Sequence, residues 1–143
     1  MWLDVSDLHQ FYRSPLGKLT QRLLLRRFRD NWPDLTGQRV LSLGYGVPYM
    51  RRINDKAERS LAAMPGGQGV IHWPPNQPNL EALTDESKLP FPDNSIDRVL
   101  LVHAIEFTEH LRPMLRETWR VLASGGRMLV VVPNRRGVWA RLE

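Results

Sequence analysis

Cysteine is absent from the 143 residues of the chain, and so is any long hydrophobic run. The first absence excludes disulfide bonds, thiolate nucleophiles and metal sites built on cysteine, and it is typical of cytoplasmic proteins. The second excludes a membrane-spanning helix, which needs roughly 20 predominantly apolar residues. The first seven residues include Asp4 and Asp7, whereas a secretory signal begins with basic residues. We therefore expect a cytoplasmic protein with no transmembrane segment.

Hydrophobic periodicity predicts strands that alternate with helices. Residues 16–28 have apolar side chains at spacings of three and four, which is typical of an amphipathic helix. A brief helix is predicted at residues 49–55, and a longer one carries an apolar stripe over residues 111–122. The predicted strands are residues 39–43, 60–64, 80–83, 96–102 and 128–132. Such alternation favours parallel pairing with right-handed crossovers, so the predicted fold class is α/β with about five strands.

Three positions carry more local expectations. Residues 73–78 contain three prolines and predict a rigid loop in the place of a crossover helix. Trp119 lies on the apolar stripe of the last helix and is expected in the core. The segment Ser124-Gly125-Gly126 is expected to end that helix through a glycine in the left-handed conformation.

Basic residues outnumber acidic ones, with 20 Lys and Arg against 15 Asp and Glu and a formal net charge of +5. This balance favours polyanions or an anionic membrane surface as partners. Several of these cations lie on the polar faces of the helix at residues 16–28, and such residues are most often simply solvated. RNA and anionic lipid therefore stay open as partners with weak support.

The apolar strand at residues 39–43 runs directly into the turn Gly44-Tyr45-Gly46. In an α/β protein such a turn lets the backbone pass close beneath a nucleotide-like ligand. The third glycine position of the turn holds Pro48, and Ser42 lies where related loops often carry an acid. The turn alone is a weak indicator, and a tight turn without a ligand is the simpler alternative.

Further segments follow this turn in a fixed order. Thr84-Asp85 precedes the stretch Leu89-Pro90-Phe91, His103 to Glu106 follow the fourth predicted strand, and Gly125-Gly126 precede the fifth. Together with residues 40–46, these segments resemble the motifs of class I S-adenosylmethionine-dependent methyltransferases. The resemblance is to the small-molecule group that includes enzymes of quinone biosynthesis, and it covers roughly residues 37–133.

The resemblance implies a three-layer, Rossmann-like parallel sheet with the cofactor S-adenosyl-L-methionine across the carboxyl ends of the strands. It places Gly44 and Gly46 beside the methionine moiety, Asp85 at the adenine amino group, and His103 near the sulfonium and the substrate mouth. The further cofactor residues implied are Ser42, Tyr45 and Glu86. The expected activity is methyl transfer to an unidentified acceptor of the small-molecule class, with no metal and with no catalytic residue assigned.

The chain departs from that family in two further respects. No acid ends the second strand, where Met64-Pro65-Gly66 stand instead of an acceptor for the ribose hydroxyls. The family's core has seven strands, whereas this chain ends at Glu143 soon after the fifth. We therefore expect an open edge at residues 128–132, which a second copy of the chain could cover as a homo-oligomer. The domain organisation expected is a helical segment at residues 1–36 and a methyltransferase-like domain at residues 37–143, within one domain overall.

Simpler alternatives remain for the chain and for its site residues. A non-catalytic, truncated relative of the methyltransferases could act as a binding or oligomerisation module, and a basic nucleic-acid-binding protein is the least favoured alternative. Asp85 could be a surface turn acid, and His103 a polar residue that merely ends a strand. Glu106 and His110, four residues apart, could hold a metal on one helix face, but a solvated pair is favoured because no third ligand is evident.

Overall fold

A computed structural model describes residues 1–53, 55–134 and 136. The described elements alternate as the sequence predicts, with an additional helix at the N-terminus. In chain order they are α1 (Val5–Arg13), α2 (Pro15–Asn31), β1 (Arg39–Gly44), α3 (Val47–Ile53), β2 (Arg59–Pro65), β3 (Glu81–Thr84), β4 (Ile96–Val102), α4 (Leu111–Val121) and β5 (Leu122–Val131).

The five strands form one sheet in the order β3-β2-β1-β4-β5, and every pairing is parallel. The central strand β1 pairs through Leu41 with Leu61 of β2 and with Val99 of β4. Because all strands run in the same direction, their carboxyl ends lie along one edge of the sheet. The predicted α/β fold with a parallel sheet is confirmed.

Alternate residues of the strands face opposite layers, as the twofold period of a strand requires. Val40 and Leu100 lie in a buried cluster with side chains of α1, α2 and α3. Leu41 and Leu101 lie in a second cluster with Met114 and other residues of α4 and its neighbouring loops. Helices therefore cover both faces of the sheet, and the three-layer architecture is confirmed.

Helix α2 forms where the sequence predicts it, but only part of its predicted apolar face is buried. Leu16, Leu19 and Leu23 are 56%, 50% and 54% exposed, whereas Leu25 and Phe28 are 3% exposed. The helix is turned so that its glycine-bearing face meets α1 and the face with Phe28 meets α3. The end of the expected stripe at Phe28 is therefore buried, Leu24 packs against the core, and the first three leucines remain exposed.

The connection between β2 and β3 contains no helix, as the prolines of residues 73–78 predict. Trp73 is buried and its backbone N–H donates to Asn79 Oδ1 at 3.1 Å. The backbone N–H of Leu80 donates back to the Trp73 carbonyl at 2.7 Å, and the Trp73–Pro74 peptide is cis. These contacts close the loop on itself and bring it to the start of β3.

Two local predictions about the last helix are wrong. Trp119 is 80% exposed, because α4 packs on the sheet through Met114, Thr118 and Val121. Gly125 does adopt a left-handed conformation, with φ 74°, but it lies within β5 and not at the end of α4. The helix ends directly in the strand, and the glycines occupy the irregularity between Leu122 and Arg127 in the pairing with β4.

The described part of the chain contains no helix whose length and hydrophobicity would let it span a membrane.

Candidate active site

The residues expected in the site meet at the carboxyl edge of the sheet. β1 ends at Gly44, β3 ends at Thr84 next to Asp85, and β4 ends at Val102 next to His103. Parallel pairing brings these ends together because neighbouring strands finish at the same edge, and open parallel sheets bind ligands there. The topology thus positions three segments that lie up to 60 residues apart in the sequence at one edge of the molecule.

The loop Gly44-Tyr45-Gly46 is packed tightly against the chain itself. The backbone N–H of Tyr45 donates to the Val102 carbonyl at 2.8 Å, which ties the loop to the end of β4. Gly44 has φ 88°, and a Cβ at this position would press on the Val102 carbonyl oxygen. A Cβ at Gly46 would meet the hydroxyl of Ser42. Both glycines are therefore required by the local packing of the protein, independently of any ligand.

Ser42 and Pro48 depart from the family pattern, and both are accommodated by the local packing of the protein. Ser42 is completely buried beneath Gly46, and its hydroxyl has no hydrogen-bond partner. A longer acidic side chain there would have to displace the turn. Pro48 lies in the first turn of α3, where a missing N–H is tolerated, and its carbonyl accepts a hydrogen bond from Gln21 Nε2 at 2.6 Å.

The N-terminal segment, residues 1–13, lies across this edge. The backbone N–H of Val5 donates to the Gln68 carbonyl at 2.8 Å, and the indole of Trp2 lies against Gly67. Gln68 is buried, and its Nε2 donates to the His103 carbonyl at 3.0 Å. The segment after β2 is thereby joined both to the N-terminus and to the end of β4.

A cavity of about 730 Å³ opens at the ends of β2 and β3. Asp85 lies at its wall, exposed, with its carboxylate accepting hydrogen bonds from the backbone N–H of Ser87 at 2.8 Å and from the Ser87 hydroxyl at 2.5 Å. These bonds lower the pKa of Asp85, so the group is a carboxylate at neutral pH. Glu86 is buried beside it and accepts from the Thr108 hydroxyl at 3.2 Å. The lining residues are Met1, Trp2, Gly66, Gly67, Leu83, Thr84, Asp85, Glu86, Glu109 and His110.

His103 belongs to a chain of four polar side chains that was not foreseen from the sequence. Its Nε2 lies 2.9 Å from the Tyr12 hydroxyl, which lies 2.7 Å from the Tyr49 hydroxyl. Its Nδ1 lies 3.4 Å from Glu106 Oε1. His103 also has φ 51°, a conformation that non-glycine residues adopt only where surrounding contacts hold them. We refer to these four side chains as the tyrosine–histidine–glutamate chain.

The protons of this chain can be assigned from its partners. Burial is the main cause that raises the pKa of Tyr12 to about 12, so the phenol is neutral and can donate. Burial also raises the pKa of Tyr49 far above its usual value. His103 Nε2 can accept from the Tyr12 hydroxyl, and Tyr12 can in turn accept from the Tyr49 hydroxyl, whereas His103 Nδ1 and Glu106 Oε1 are an ion-pair contact at 3.4 Å.

A second cavity, of about 330 Å³, lies beside the tyrosine–histidine–glutamate chain, which forms the polar part of its wall. Its wall is mostly apolar and comes from α1, α2 and the end of β5. The lining residues are Phe11, Tyr12, Thr20, Leu23, Leu24, His103, Glu106, Val131, Val132 and Pro133. Among the described residues, no group of three or more His, Asp or Glu side chains could hold a metal ion, and Glu106 faces His103 instead of His110.

Comparison with known proteins agrees with this architecture. The family described as "Methyltransferase domain" matches residues 70–130. The demethylmenaquinone methyltransferase of Corynebacterium efficiens is 28% identical over 130 residues, which cover 91% of this chain and 56% of that protein. The chain thus spans little more than half the length of this curated relative.

Solved structures give the fold. A putative S-adenosyl-L-methionine-dependent methyltransferase from Methanococcus maripaludis superposes with a TM-score of 0.63 at 12% identity, covering 87% of this chain and 60% of that one. This chain has the class I methyltransferase fold. A protein named as the cyclase SpnF also superposes, with a TM-score of 0.61 at 21% identity over 81% of this chain and 46% of that one. The resemblance found in the sequence is therefore confirmed, and the fold alone does not decide the reaction.

The methyltransferase fold implies S-adenosyl-L-methionine as methyl donor, and the residues fit one part of it. The larger cavity offers the Asp85 carboxylate as an acceptor for an amino group, and no atom lies within 4 Å of a Cβ built on Gly66. An adenosine group therefore fits this side. The loop from Gly44 to Gly46 is instead closed by its own packing and by α1, and β2 ends without an acid for the ribose.

Sequence reasoning missed Trp2, Tyr12 and Gln68, which contact residues at the carboxyl edge of the sheet, and Tyr49, which contacts Tyr12. Tyr12 reaches His103 across 91 residues of sequence, and Gln68 reaches it across 35. No local pattern encodes such contacts. One signal was present for Gln68: it is a polar residue that directly follows the turn closing a buried strand.

Proposed function

We propose that the chain is an S-adenosyl-L-methionine-dependent methyltransferase that acts on an unidentified acceptor. The observation that supports this most strongly is the order of the sheet, β3-β2-β1-β4-β5, with Gly44, Asp85 and His103 following three of its strands at one edge. The methyltransferase-domain match at residues 70–130 covers two of these three positions.

The proposed cofactor residues occupy two regions of that edge. Asp85 and Glu86 border the larger cavity, where Asp85 accepts from the adenine amino group. Gly44, Tyr45 and Gly46, with Ser42 beneath them, form the turn on the methionine side. His103 lies between this turn and the smaller cavity. The chemistry asks for alignment and exclusion of water, since the cofactor supplies the activated methyl group.

The acceptor is proposed to be a small molecule, because the curated relative is named as a demethylmenaquinone methyltransferase and the smaller cavity is mostly apolar. We also propose a cytoplasmic location, in keeping with the lack of cysteine. The exposed basic residues of α2 leave RNA or anionic lipid as a less supported partner. Residues 1–36 are proposed as a helical segment and residues 37–143 as the methyltransferase-like part of one domain.

A non-catalytic binding module is the second candidate. Two observations favour it: the turn at Gly44 is closed by the Val102 carbonyl and the Ser42 hydroxyl, and Met64-Pro65-Gly66 provide no ribose acceptor. A ribose hydroxyl that is buried without a charged acceptor weakens binding of the cofactor by roughly tenfold or more. The two candidates therefore differ in whether the cofactor binds at all.

Calorimetric titration with S-adenosylhomocysteine separates these candidates. The methyltransferase proposal predicts saturable binding to the wild-type chain and roughly tenfold weaker binding to Asp85→Asn, because the charged acceptor is lost. Asparagine keeps an oxygen for the Ser87 contacts, so the turn is retained. Asp30→Asn, the same change of charge on an exposed residue of α2, is the matched control and should leave affinity unchanged.

Two results would count against the proposal. Absence of heat at millimolar ligand, with the protein folded by circular dichroism, would leave the binding module as the better description. Equal affinity of wild type and Asp85→Asn would remove Asp85 from the adenine site.

A further inference from the structure

Helix α2 presents a strip of exposed leucines. Leu16, Leu19 and Leu23 follow one another at spacings of three and four, so they lie on one side of the helix. They are 56%, 50% and 54% exposed, and we refer to these three residues as the leucine strip. Neighbouring exposed apolar side chains that are bordered by polar residues are typical of a surface that binds a partner or a membrane.

Cations border this strip. Residues 8–29 contain five arginines and one lysine and no acidic residue, and Asp30 is the acid that follows them. Arg26 and Arg27 lie one turn after Leu23, at spacings of three and four, and therefore on either side of the line of the strip. All six cations are exposed, and none forms an ion pair with any residue that the structure describes. They are Arg13, Lys18, Arg22, Arg26, Arg27 and Arg29.

Arginines also gather in a cavity of about 400 Å³ beside the strip. Three of them come from α2, and Arg52 comes from the last turn of α3. Guanidinium groups bind phosphate oxygens through pairs of parallel hydrogen bonds, so this cavity is suited to a phosphate group. The lining residues are Arg22, Leu25, Arg26, Arg29, Asp30 and Arg52.

A lipid surface fits this arrangement better than RNA does. A helix that lies on a membrane buries leucines at the boundary of the acyl chains and keeps lysines and arginines at the headgroups. Single-stranded nucleic acid instead stacks its bases on aromatic side chains, and the strip consists of leucines. A phosphate backbone would contact the arginines and leave the leucines in water. The combination of leucines and unpaired cations therefore favours an anionic membrane surface.

We propose that α2 docks on the surface of an anionic membrane, with the leucine strip against the acyl chains and the flanking arginines at the lipid phosphates. Leu23 also lines the smaller cavity, together with Thr20 and Leu24. Docking thus brings this mostly apolar cavity to the bilayer, where apolar molecules dissolve. The entry of a methyl acceptor from the bilayer rests on the proposed function, whereas the docking itself does not.

Co-sedimentation with lipid vesicles tests the contribution of charge. The wild-type chain should bind vesicles that contain phosphatidylglycerol roughly tenfold more tightly than vesicles of phosphatidylcholine alone, because each cation near an anionic surface strengthens binding about fivefold. Arg22→Gln combined with Arg26→Gln should weaken binding to the anionic vesicles by roughly tenfold or more. Arg112→Gln combined with Arg116→Gln makes the same change at the same spacing on exposed residues of α4, and this matched control should bind as the wild type does.

The contribution of the leucines is tested by a second pair of variants. Leu16→Gln combined with Leu19→Gln should weaken binding to the anionic vesicles roughly tenfold, because apolar contact is lost while charge and helix propensity are kept. Neither residue lines the smaller cavity. Leu80→Gln combined with Leu111→Gln is the control, on leucines outside α2 that are 37% and 39% exposed, and it should leave binding unchanged. Circular dichroism checks that every variant is folded.

A fluorescent label reports which face of the molecule meets the lipid. The chain has no cysteine, so Leu19→Cys and Leu111→Cys can each carry one polarity-sensitive fluorophore. On anionic vesicles the emission should move to shorter wavelength at position 19 and stay unchanged at position 111, because α2 and α4 cover opposite faces of the sheet. A shift at position 111 alone, or at both positions, would contradict docking through α2.

The proposal would be overturned if the folded chain did not bind anionic vesicles, if it bound both kinds of vesicle equally, or if both α2 variants bound as the wild type does. Binding of an RNA oligonucleotide in place of vesicles would assign this face to nucleic acid. Self-association that Leu16→Gln with Leu19→Gln abolishes, without vesicle binding, would assign the strip to a second copy.

Titration with S-adenosylhomocysteine, without vesicles, is scored separately. Vesicle binding without cofactor binding would refute the proposed methyl transfer and leave the docking surface standing. Cofactor binding without vesicle binding would refute the docking surface and leave the proposed function standing.

Discussion

At the scale of single residues, buried polar groups give the sharpest expectations about this chain. Glu81 begins β3, is 6% exposed, and accepts the backbone N–H of Ile71 through one oxygen at 3.0 Å. Its other oxygen is buried without a partner. Burial raises the pKa of Glu81 to about 7, so near neutral pH the folded chain holds a proton that the unfolded chain has released.

This proton makes the contribution of Glu81 to stability depend on pH. Between pH 4.5 and pH 7 the folded state binds more protons at this residue than the unfolded state, so stability falls as pH rises and the loss is complete above pH 7. Glu81→Gln should therefore gain stability over wild type, from little near pH 4 to on the order of 3 kcal/mol at pH 8. Urea unfolding at both pH values measures this. A gain that is the same at both would contradict the raised pKa, and Glu58→Gln serves as the exposed control.

Single positions also show what the sequence could and could not predict about the site. Asp85 and His103 were placed correctly at the ends of their strands. In a parallel sheet the residue that follows a strand lies at the carboxyl edge, so a correctly predicted strand also gives the position of that residue. The partners of His103 were not predictable. Tyr12 and Tyr49 lie on helices whose position over the sheet depends on packing between distant segments, which no short motif encodes.

At the scale of elements, the sheet was largely predictable and the helix faces were not. Strand β4 was predicted with its observed bounds, Ile96–Val102, since a continuous aliphatic run is typical of a strand buried on both faces. Helix α2 was predicted from five apolar residues, of which the structure leaves Leu16, Leu19 and Leu23 exposed. The orientation of α2 is set by its close contact with α1 at Gly17. The spacing of leucines along a sequence does not reveal a helix contact that is made at a glycine.

The contact between α1 and α2 leads to a prediction about Gly17. A Cβ at this position would overlap the carbonyl group of Phe11 and approach Tyr12 Cα to 2.7 Å, and these are backbone atoms that cannot move aside. Gly17→Ala should therefore destabilise the chain by about 2 to 3 kcal/mol, as overpacking does, in spite of the better helix propensity of alanine. Gly66→Ala is the matched control, because nothing lies within 4 Å of its added Cβ. Thermal unfolding compares the two, and an unchanged midpoint for Gly17→Ala would show that α1 is not held against α2 in this way.

At the scale of the whole molecule, exposed apolar surface gathers beside the edge strand β5. This strand pairs with β4 on one side, and among the described residues no strand lies on its other side. Met128 and Val130 are 39% and 38% exposed, and they face the same layer as α4. An unpaired edge with apolar side chains favours association with another chain, which agrees with the homo-oligomer expected from the sequence.

We therefore expect the chain as given to self-associate through β5. Sedimentation velocity between roughly 1 and 100 µM protein should show a concentration-dependent increase in mass, since weak interfaces assemble only at the higher concentrations. The paired substitution Met128→Lys and Val130→Lys should abolish this increase, because charges on an edge strand oppose pairing. The control pair Val70→Lys and Leu80→Lys adds the same charge to residues of the β2–β3 connection that are 38% and 37% exposed, so it should leave association as in the wild type. A monomer at every concentration would show that this edge does not bind a second copy, and association that persists in the β5 variant would place the interface elsewhere on the molecule.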